Sequence, residues 1–280
     1  MMQAGKPSKT AWAAAAHRAA HQILEQGRIF SDPLALRILG EDANTIRRWA
    51  EEEPSRRRMR IFIAARTRFA EDALAVEIER GVRQVIVLGA GLDTFAYRHQ
   101  FGDRIRVFEV DNPDTQAWKR ERLAAEAIPV PNSLTHVSVN FESETLAGRL
   151  AAGGFDRAQP AFFTWLGVVP YLTGEAIWST LGFIAGLPNG AHVVFDYSDP
   201  PASLSLDMRE FHDRRAAEVA AISEAWVSYF DRDALREKLM AIGFRSVRDA
   251  GPREIAALYF PVFASSLPEK GGHILHAATH

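Results

Sequence analysis

The sequence predicts an α/β fold built on a doubly wound, mostly parallel sheet of seven strands. Three observations carry that expectation. Compact β-rich runs recur along the chain, helical segments separate them, and most of the runs are apolar throughout instead of alternating. Strands covered by helices on both faces read this way, because neither face meets water.

Residues 1 to about 80 precede the first run and read as helical. Ala13, Ala16, Ala20, Ile23 and Leu24 recur at helical spacing, and Asp32-Pro33 has the form of an N-cap followed by proline at the first helical position. A second helix is expected over about 59–80, carrying Ile61, Ala65, Phe69, Leu74 and Ile78, with Gly81 ending it. The strands are expected at 85–88, 105–110, 134–139, 161–166, 191–197, 244–247 and 273–277, with helical crossovers such as 115–127 and 174–186 between them. The last two strands crowd the end of the sequence, which predicts an antiparallel strand at the sheet edge. The polar stretch at about 198–230 precedes a helix near 231–242. It is too long for a plain loop, has helical composition, and would cap a ligand site beside the strands' carboxyl ends. The expected layout is one domain over 1–280, with a helical N-terminal lid (1–80) and a core (81–280) holding the cap insertion.

The 280 residues are 47% hydrophobic, 24% charged and 10% aromatic, which suits one continuous core without a disulfide or metal staple. The absence of cysteine excludes a thiolate nucleophile and any cysteine-ligated metal. Lys+Arg 33 against Asp+Glu 35 gives a net charge of -2, without the basic excess of a nucleic-acid binder. No stretch approaches the roughly 18 apolar residues of a membrane span. The most apolar one, 161–172, contains Pro170, and the alanine run near the start is broken by His17 and Arg18, so no export signal is read and a cytoplasmic location is expected.

The sharpest local signal is the first strand running into Gly89-Ala90-Gly91-Leu92-Asp93-Thr94. Gly-x-Gly lets backbone approach a ligand closely, although turn geometry alone also explains it. A dinucleotide site continues to a third glycine where this chain has Thr94, so a pyrophosphate loses support. The second strand ends in Glu109-Val110-Asp111-Asn112-Pro113, about 20 residues on, where an acid can accept from a ribose diol. Asp111, the outer of the two acids, is favoured over Glu109; a turn role before Asn112-Pro113 is the alternative. A nucleoside without pyrophosphate fits S-adenosyl-L-methionine. Its carboxylate needs a cation, which Arg66 could supply unless it is one more solvated charge in an arginine-dense segment.

A wider set of motifs appears in order along nearly the whole chain. It comprises Thr10-Ala11, Arg18-Ala19-Ala20-His21, Phe30-Ser31-Asp32-Pro33-Leu34-Ala35, Arg66-Thr67-Arg68-Phe69, Leu88 to Thr94, Phe108 to Pro113, Asn140-Phe141 and Trp165 to Leu172. This set resembles the leucine carboxyl methyltransferase family, most closely its bacterial branch of S-adenosyl-L-methionine-dependent methyltransferases. The resemblance implies a Rossmann-like class I methyltransferase fold with S-adenosyl-L-methionine as cofactor. It implies that Arg66 holds the methionyl carboxylate, that Gly89, Ala90 and Gly91 bring backbone to the cofactor, that Asp111 binds the ribose, and that Asn140 and Phe141 flank the adenine. Where relatives carry an acid at the end of the fourth strand this chain has Leu166, which leaves that contact to a backbone carbonyl or to Trp165.

The expected reaction is O-methyl transfer, by direct in-line attack, to a carboxylate of a small molecule or peptide. A carboxylate is already ionised, whereas a hydroxyl acceptor needs a base, for which His212, His21, Tyr97 and Tyr171 are candidates. Arg98 and Arg214 could steer an anionic acceptor. His17 and His21 stand four apart with no carboxylate to complete a metal site, so no metal is expected. The rival readings are an NAD(P)-dependent oxidoreductase and a non-catalytic S-adenosylmethionine-binding regulator.

Overall fold

The structure is a computed structural model that describes residues 8–139, 144–221 and 224–280, and of Phe263 only the backbone. The chain divides into two compact units, Met1–Arg68 with Val82–Asp156, and Phe69–Gly81 with Arg157–His280. In chain order the elements of the first are α1 (Lys9–Leu24), α2 (Ala35–Leu39), α3 (Ala43–Glu52), the first part of α4 (Arg56–Glu79), β1 (Gln84–Leu88), α5 (Phe95–Arg98), β2 (Arg106–Asp111), α6 (Pro113–Ala125), β3 (Leu134–Ser138) and α7 (Leu146–Ala152). The second holds the end of α4, then β4 (Ala161–Trp165), α8 (Gly174–Ala185), β5 (Ala191–Ser198), α9 (Leu206–Ala220), α10 (Arg232–Ala241), β6 (Ser246–Ala250), α11 (Pro252–Tyr259) and β7 (Gly272–Ala278).

Local chemistry sets most helix starts. The Ser8 hydroxyl accepts from Ala11 N at 3.0 Å and opens α1, whose Ala15, Ala16, Ala19 and Ala20 are fully buried. Small side chains on that face let α1 lie close to α2 and α3, with Ile38 and Ile46 filling the space between. Asn112 caps α6 with Pro113 at its first turn, and Asp231 caps α10 through Asp233 N and Ala234 N. Asp32 caps the turn that leads into α2: its Oδ1 accepts from Leu34 N at 3.1 Å, with Pro33 between them, α2 itself starts at Ala35, and the other carboxylate oxygen is taken by Arg18.

The sheet has seven strands in the order β3-β2-β1-β4-β5-β7-β6. In the first unit β1 pairs β2 and β2 pairs β3, all parallel. In the second, β4 and β5 are parallel, and β7 runs antiparallel to both β5 and β6. The antiparallel strand is therefore interior, and the edge expected for it belongs to β6. Burial explains the exchange: β7 carries Ile274, Leu275 and Ala277 at 0% exposure, whereas the first four residues of β6 (SVRDA) alternate exposed and half-buried and only Ala250 is buried. Only a strand that tolerates water on one side can stand at the edge. Strand β1 is buried throughout and β5 is buried except at Ser198, in keeping with helices on both faces. Within the stretch expected to form a cap, α9 spans Leu206–Ala220 and residues 224–230 carry no regular secondary structure.

Candidate functional site

In the first unit β1 ends at Leu88 and the chain turns through Gly89 (φ +65°) and Gly91 (φ +45°), both in the left-handed region that favours glycine. Gly89 is exposed between buried Leu88 and Ala90, so the carboxyl end of β1 presents bare backbone. Gly91 is closed in: a Cβ there would stand 3.1 Å from the Ala11 Cβ of α1. At the end of β2, Asp111 Oδ2 accepts from Gly91 N at 2.5 Å and Oδ1 accepts from Asn112 N at 2.6 Å. A carboxylate has about four lone-pair positions, so each oxygen retains one for an outside donor. Burial pushes the Asp111 carboxyl up from its ordinary range, against the two backbone N–H bonds and the Lys119 charge. Arg66 lies on α4 with 9% exposure.

The same loop is a poor seat for a pyrophosphate. Its last residue, Thr94, is buried and spends its hydroxyl on Asp32 Oδ2 at 2.8 Å. The helix that follows, α5, has only four residues, too few for a strong terminal dipole. The residues fit a nucleoside bound through its diol. Asn140 and Phe141 lie outside the described residues.

Glu109, two residues before Asp111, is spoken for. Lys119 Nζ of α6 sits 2.9 Å from both carboxylate oxygens, with each partner's side chain 1% exposed. Tyr97 OH donates to Glu109 Oε2 at 3.2 Å and lies 3.3 Å from His136 Nε2. Burial, then the Glu109 charge, pushes the Tyr97 phenol well above its ordinary value, so it stays protonated. His21 is equally engaged: its Nδ1 faces Glu25 at 3.2 Å while Nε2 accepts from Ile29 N and Phe30 N.

Sequence reasoning missed a buried network around Asp32. Arg18 Nε donates to Asp32 Oδ2 at 3.0 Å, and Arg18 Nη2 donates to Leu92 O at 2.6 Å. Arg98 Nε donates to Thr94 Oγ1 at 3.0 Å and stands 3.7 Å from Asp32 Oδ1, with its guanidinium over the Phe30 ring at 4.6 Å. Arg98, a candidate for steering an acceptor or else a solvated charge, is thus part of the packing of the first unit. The network's members are separated by 14, 62 and 74 residues, which leaves no local signal that could have found it.

In the second unit, Leu166 follows β4 and is half-buried. Gly167 (φ +72°) donates its N–H to Asp196 Oδ1 of β5 at 2.6 Å, so the turn is fixed by an acid from the adjoining strand. Tyr171, half-buried, ends the short turn Val169–Tyr171, which the segment after α9 holds in place. Val227 N and Ser228 N donate to Pro170 O at 2.8 and 3.2 Å, and the Ser228 hydroxyl donates to Leu172 O. His212 of α9 is 8% exposed. Its Nδ1 faces Asp213 Oδ1 and its Nε2 faces Tyr229 OH, each at 2.9 Å. A carboxylate only accepts, which assigns the Nδ1 proton and leaves Nε2 of the neutral ring to accept from Tyr229.

A second buried chain links β5, β6 and β7. Tyr197 OH donates to Asp249 Oδ2 at 2.5 Å, His273 Nδ1 lies 2.8 Å from Asp249 Oδ1, and His273 Nε2 lies 2.9 Å from Asp199 Oδ2. Burial alone would lower the His273 pKa, but the two carboxylates outweigh it and raise it to about 9. An imidazolium stabilised this way contributes fully below its unfolded value of about 6.5, and the contribution fades as pH rises towards 9. The expected result is a loss on the order of 3 kcal/mol between pH 6.5 and 9 that His273→Gln lacks. Urea midpoints of both proteins across that range check it; parallel pH profiles would refute it. Among the described residues, no group of three or more His, Asp or Glu side chains is placed to hold a metal ion, and no helix is long and apolar enough to cross a membrane.

The sequence pattern of the family described as leucine carboxyl methyltransferase matches residues 11–185. A candidate S-adenosyl-L-methionine-dependent methyltransferase of Bacillus subtilis (strain 168) is 31% identical over 198 residues, which is 70% of this chain and 65% of that protein. Another from Frankia alni is 32% identical over 233 residues, 79% of this chain and 78% of that one. Among solved structures, a candidate methyltransferase from Thermobifida fusca superposes with a TM-score of 0.57 at 14% identity, covering 98% of this chain and 95% of its own. The magnesium protoporphyrin IX methyltransferase of Synechocystis, solved with bound SAH, gives 0.50 at 12% identity, covering 96% of this chain and 100% of its own. At such identities the structural likeness concerns the fold alone.

Proposed function

Because this chain belongs to the leucine carboxyl methyltransferase family, we propose that it is an O-methyltransferase acting, in the cytoplasm, on a carboxylate of a small molecule or peptide. Its Rossmann-like sheet is of the class I methyltransferase kind, its cofactor is S-adenosyl-L-methionine, and residues 1–280 are read as one methyltransferase domain. The observation that carries the cofactor assignment is the union of Gly91 and Asp111. A carboxylate at the end of β2 holds the glycine loop by one lone pair and keeps others for a diol, beside a helix too short to seat a pyrophosphate.

Bound S-adenosyl-L-methionine supplies a methyl group already activated by its sulfonium. Arg66 would pair with the methionyl carboxylate, Gly89, Ala90 and Gly91 would offer backbone, Asp111 would hold the ribose, and the Leu166 carbonyl would provide a further polar contact. Asn140 and Phe141 would flank the adenine. On the acceptor side the assigned residues are Tyr171, His212 and Tyr97. With its phenol held protonated and its one O–H given to Glu109, Tyr97 would line the acceptor side, with only its oxygen lone pairs to offer, rather than act as a base.

One observation favours a second acceptor class. The Asp213–His212–Tyr229 chain orients the imidazole with Nε2 on the Tyr229 phenol, and a hydroxyl acceptor that took the place of that phenol would meet the base it needs to lose its proton. His212→Gln separates the two. Transfer to carboxylates should be unchanged, whereas transfer to phenols should fall roughly 10²-fold or more. Calorimetry with S-adenosylmethionine and with NAD tests the cofactor, and tight NAD binding without S-adenosylmethionine binding would overturn the proposal. Cofactor binding with no methyl transfer to a broad panel of carboxylates and phenols would favour the regulator instead.

A further inference from the structure

We propose that Asp32 is a positioning residue that latches α1 to the cofactor loop, so that cofactor binding and ordering of residues 9–24 are coupled. The inference rests on the reading that the loop at 89–94 receives S-adenosylmethionine. That loop is gripped from two sides within the first unit. Asp111 takes Gly91 N from the β2 side. From the other side Arg18 of α1 takes Leu92 O, the Asp32 carboxylate takes the Thr94 hydroxyl, and Ala11 of α1 closes the space above Gly91.

The carboxylate at the centre is 0% exposed and each of its oxygens is used. Oδ2 accepts from Arg18 Nε and Thr94 Oγ1, and Oδ1 accepts from Leu34 N at 3.1 Å and faces Arg98 Nε. A buried carboxylate held by two guanidiniums and a hydroxyl is stable only while every partner stays, since removing one leaves a charge or donor without water. The latch is therefore two-state in character. With the loop in its turn, Leu92 O and the Thr94 hydroxyl complete the cluster and tie α1 to the loop; with the loop open, both partners leave together and α1 keeps only its packing on α2 and α3 and the Arg18–Asp32 pair. A ligand that fixes the loop must also fix α1, and α1 must return the same coupling to the ligand.

Thr94→Val tests this more gently than Asp32→Asn, because valine keeps the branched shape and removes only the hydroxyl. S-adenosylhomocysteine affinity is measured by calorimetry on the full chain, and amide hydrogen exchange of residues 9–24 is followed with and without that ligand. In the unaltered protein the ligand should slow exchange across 9–24. Thr94→Val should bind at least about tenfold more weakly and lose that slowing, while Thr94→Ser, which restores a hydroxyl, should keep both. Binding by the unaltered protein with no slowing over 9–24, or Thr94→Val that matches it in affinity and exchange, overturns the latch alone. No binding of S-adenosylhomocysteine to the unaltered protein overturns the cofactor reading beneath it.

Discussion

Replacing Glu109 by alanine should destabilise the protein by about 3–5 kcal/mol, because it strands the Lys119 ammonium in the interior. The pair is buried almost completely, with Nζ at 2.9 Å from both oxygens. Burial pushes the Glu109 carboxyl up and the adjacent ammonium pulls it back, so the two charges are held by each other more than by solvent. The double variant Glu109→Leu/Lys119→Met should recover most of the loss, since an apolar pair of similar volume removes both desolvation costs. Urea unfolding of the three proteins at neutral pH provides the comparison. A single-variant loss under about 1 kcal/mol would mean that water or another acid reaches Lys119.

The second large effect concerns binding. Asp111→Ala should weaken S-adenosylhomocysteine binding at least about tenfold, or 1.4 kcal/mol, and Arg66→Ala should do the same. Asp111→Asn should be as harmful as alanine. Both carboxylate oxygens accept backbone N–H groups, from Gly91 and Asn112, so an amide nitrogen in either place would meet a donor with a donor. Because burial raises the Asp111 pKa, affinity should begin to fall on the acid side at a higher pH than an ordinary aspartate would dictate. Isothermal calorimetry reads both effects. Undiminished affinity in Asp111→Ala and Arg66→Ala together would place the cofactor elsewhere.

What could be read from the sequence is what depends on local pattern. The run at 85–88 shows itself as a strand because both of its faces are apolar, and that at 191–197 because one face is apolar and its centre is Val193-Val194-Phe195; the structure buries β1 and nearly all of β5. Asp111 stands out because its distance from the glycines follows from the length of one βαβ step. Strand order is different, since it reflects a competition between strands for the interior. Only the comparison of Ile274 and Leu275 with the alternating SVRDA strand shows why β7 lies inside β6. The Asp32 network is illegible for another reason. Arg18 and Thr94 lie 14 and 62 residues from it, and nothing local marks two arginines and a threonine as partners of one acid. Arg98 illustrates the cost, for by composition it belongs in solvent and in the fold its side chain is 10% exposed.

The place of β7 has a consequence for how the chain is made. Strand β5 pairs along its length with a segment 74 to 86 residues downstream, and β6, though synthesised first, has β7 as its neighbour. On a ribosome, everything up to residue 271 emerges with the apolar flank of β5 uncovered and β6 without a place to dock. An open flank of that kind invites pairing with other chains until it is filled. Residues 272–278 act as a late-arriving wedge, and the hazard of misassembly is concentrated in the interval before they appear.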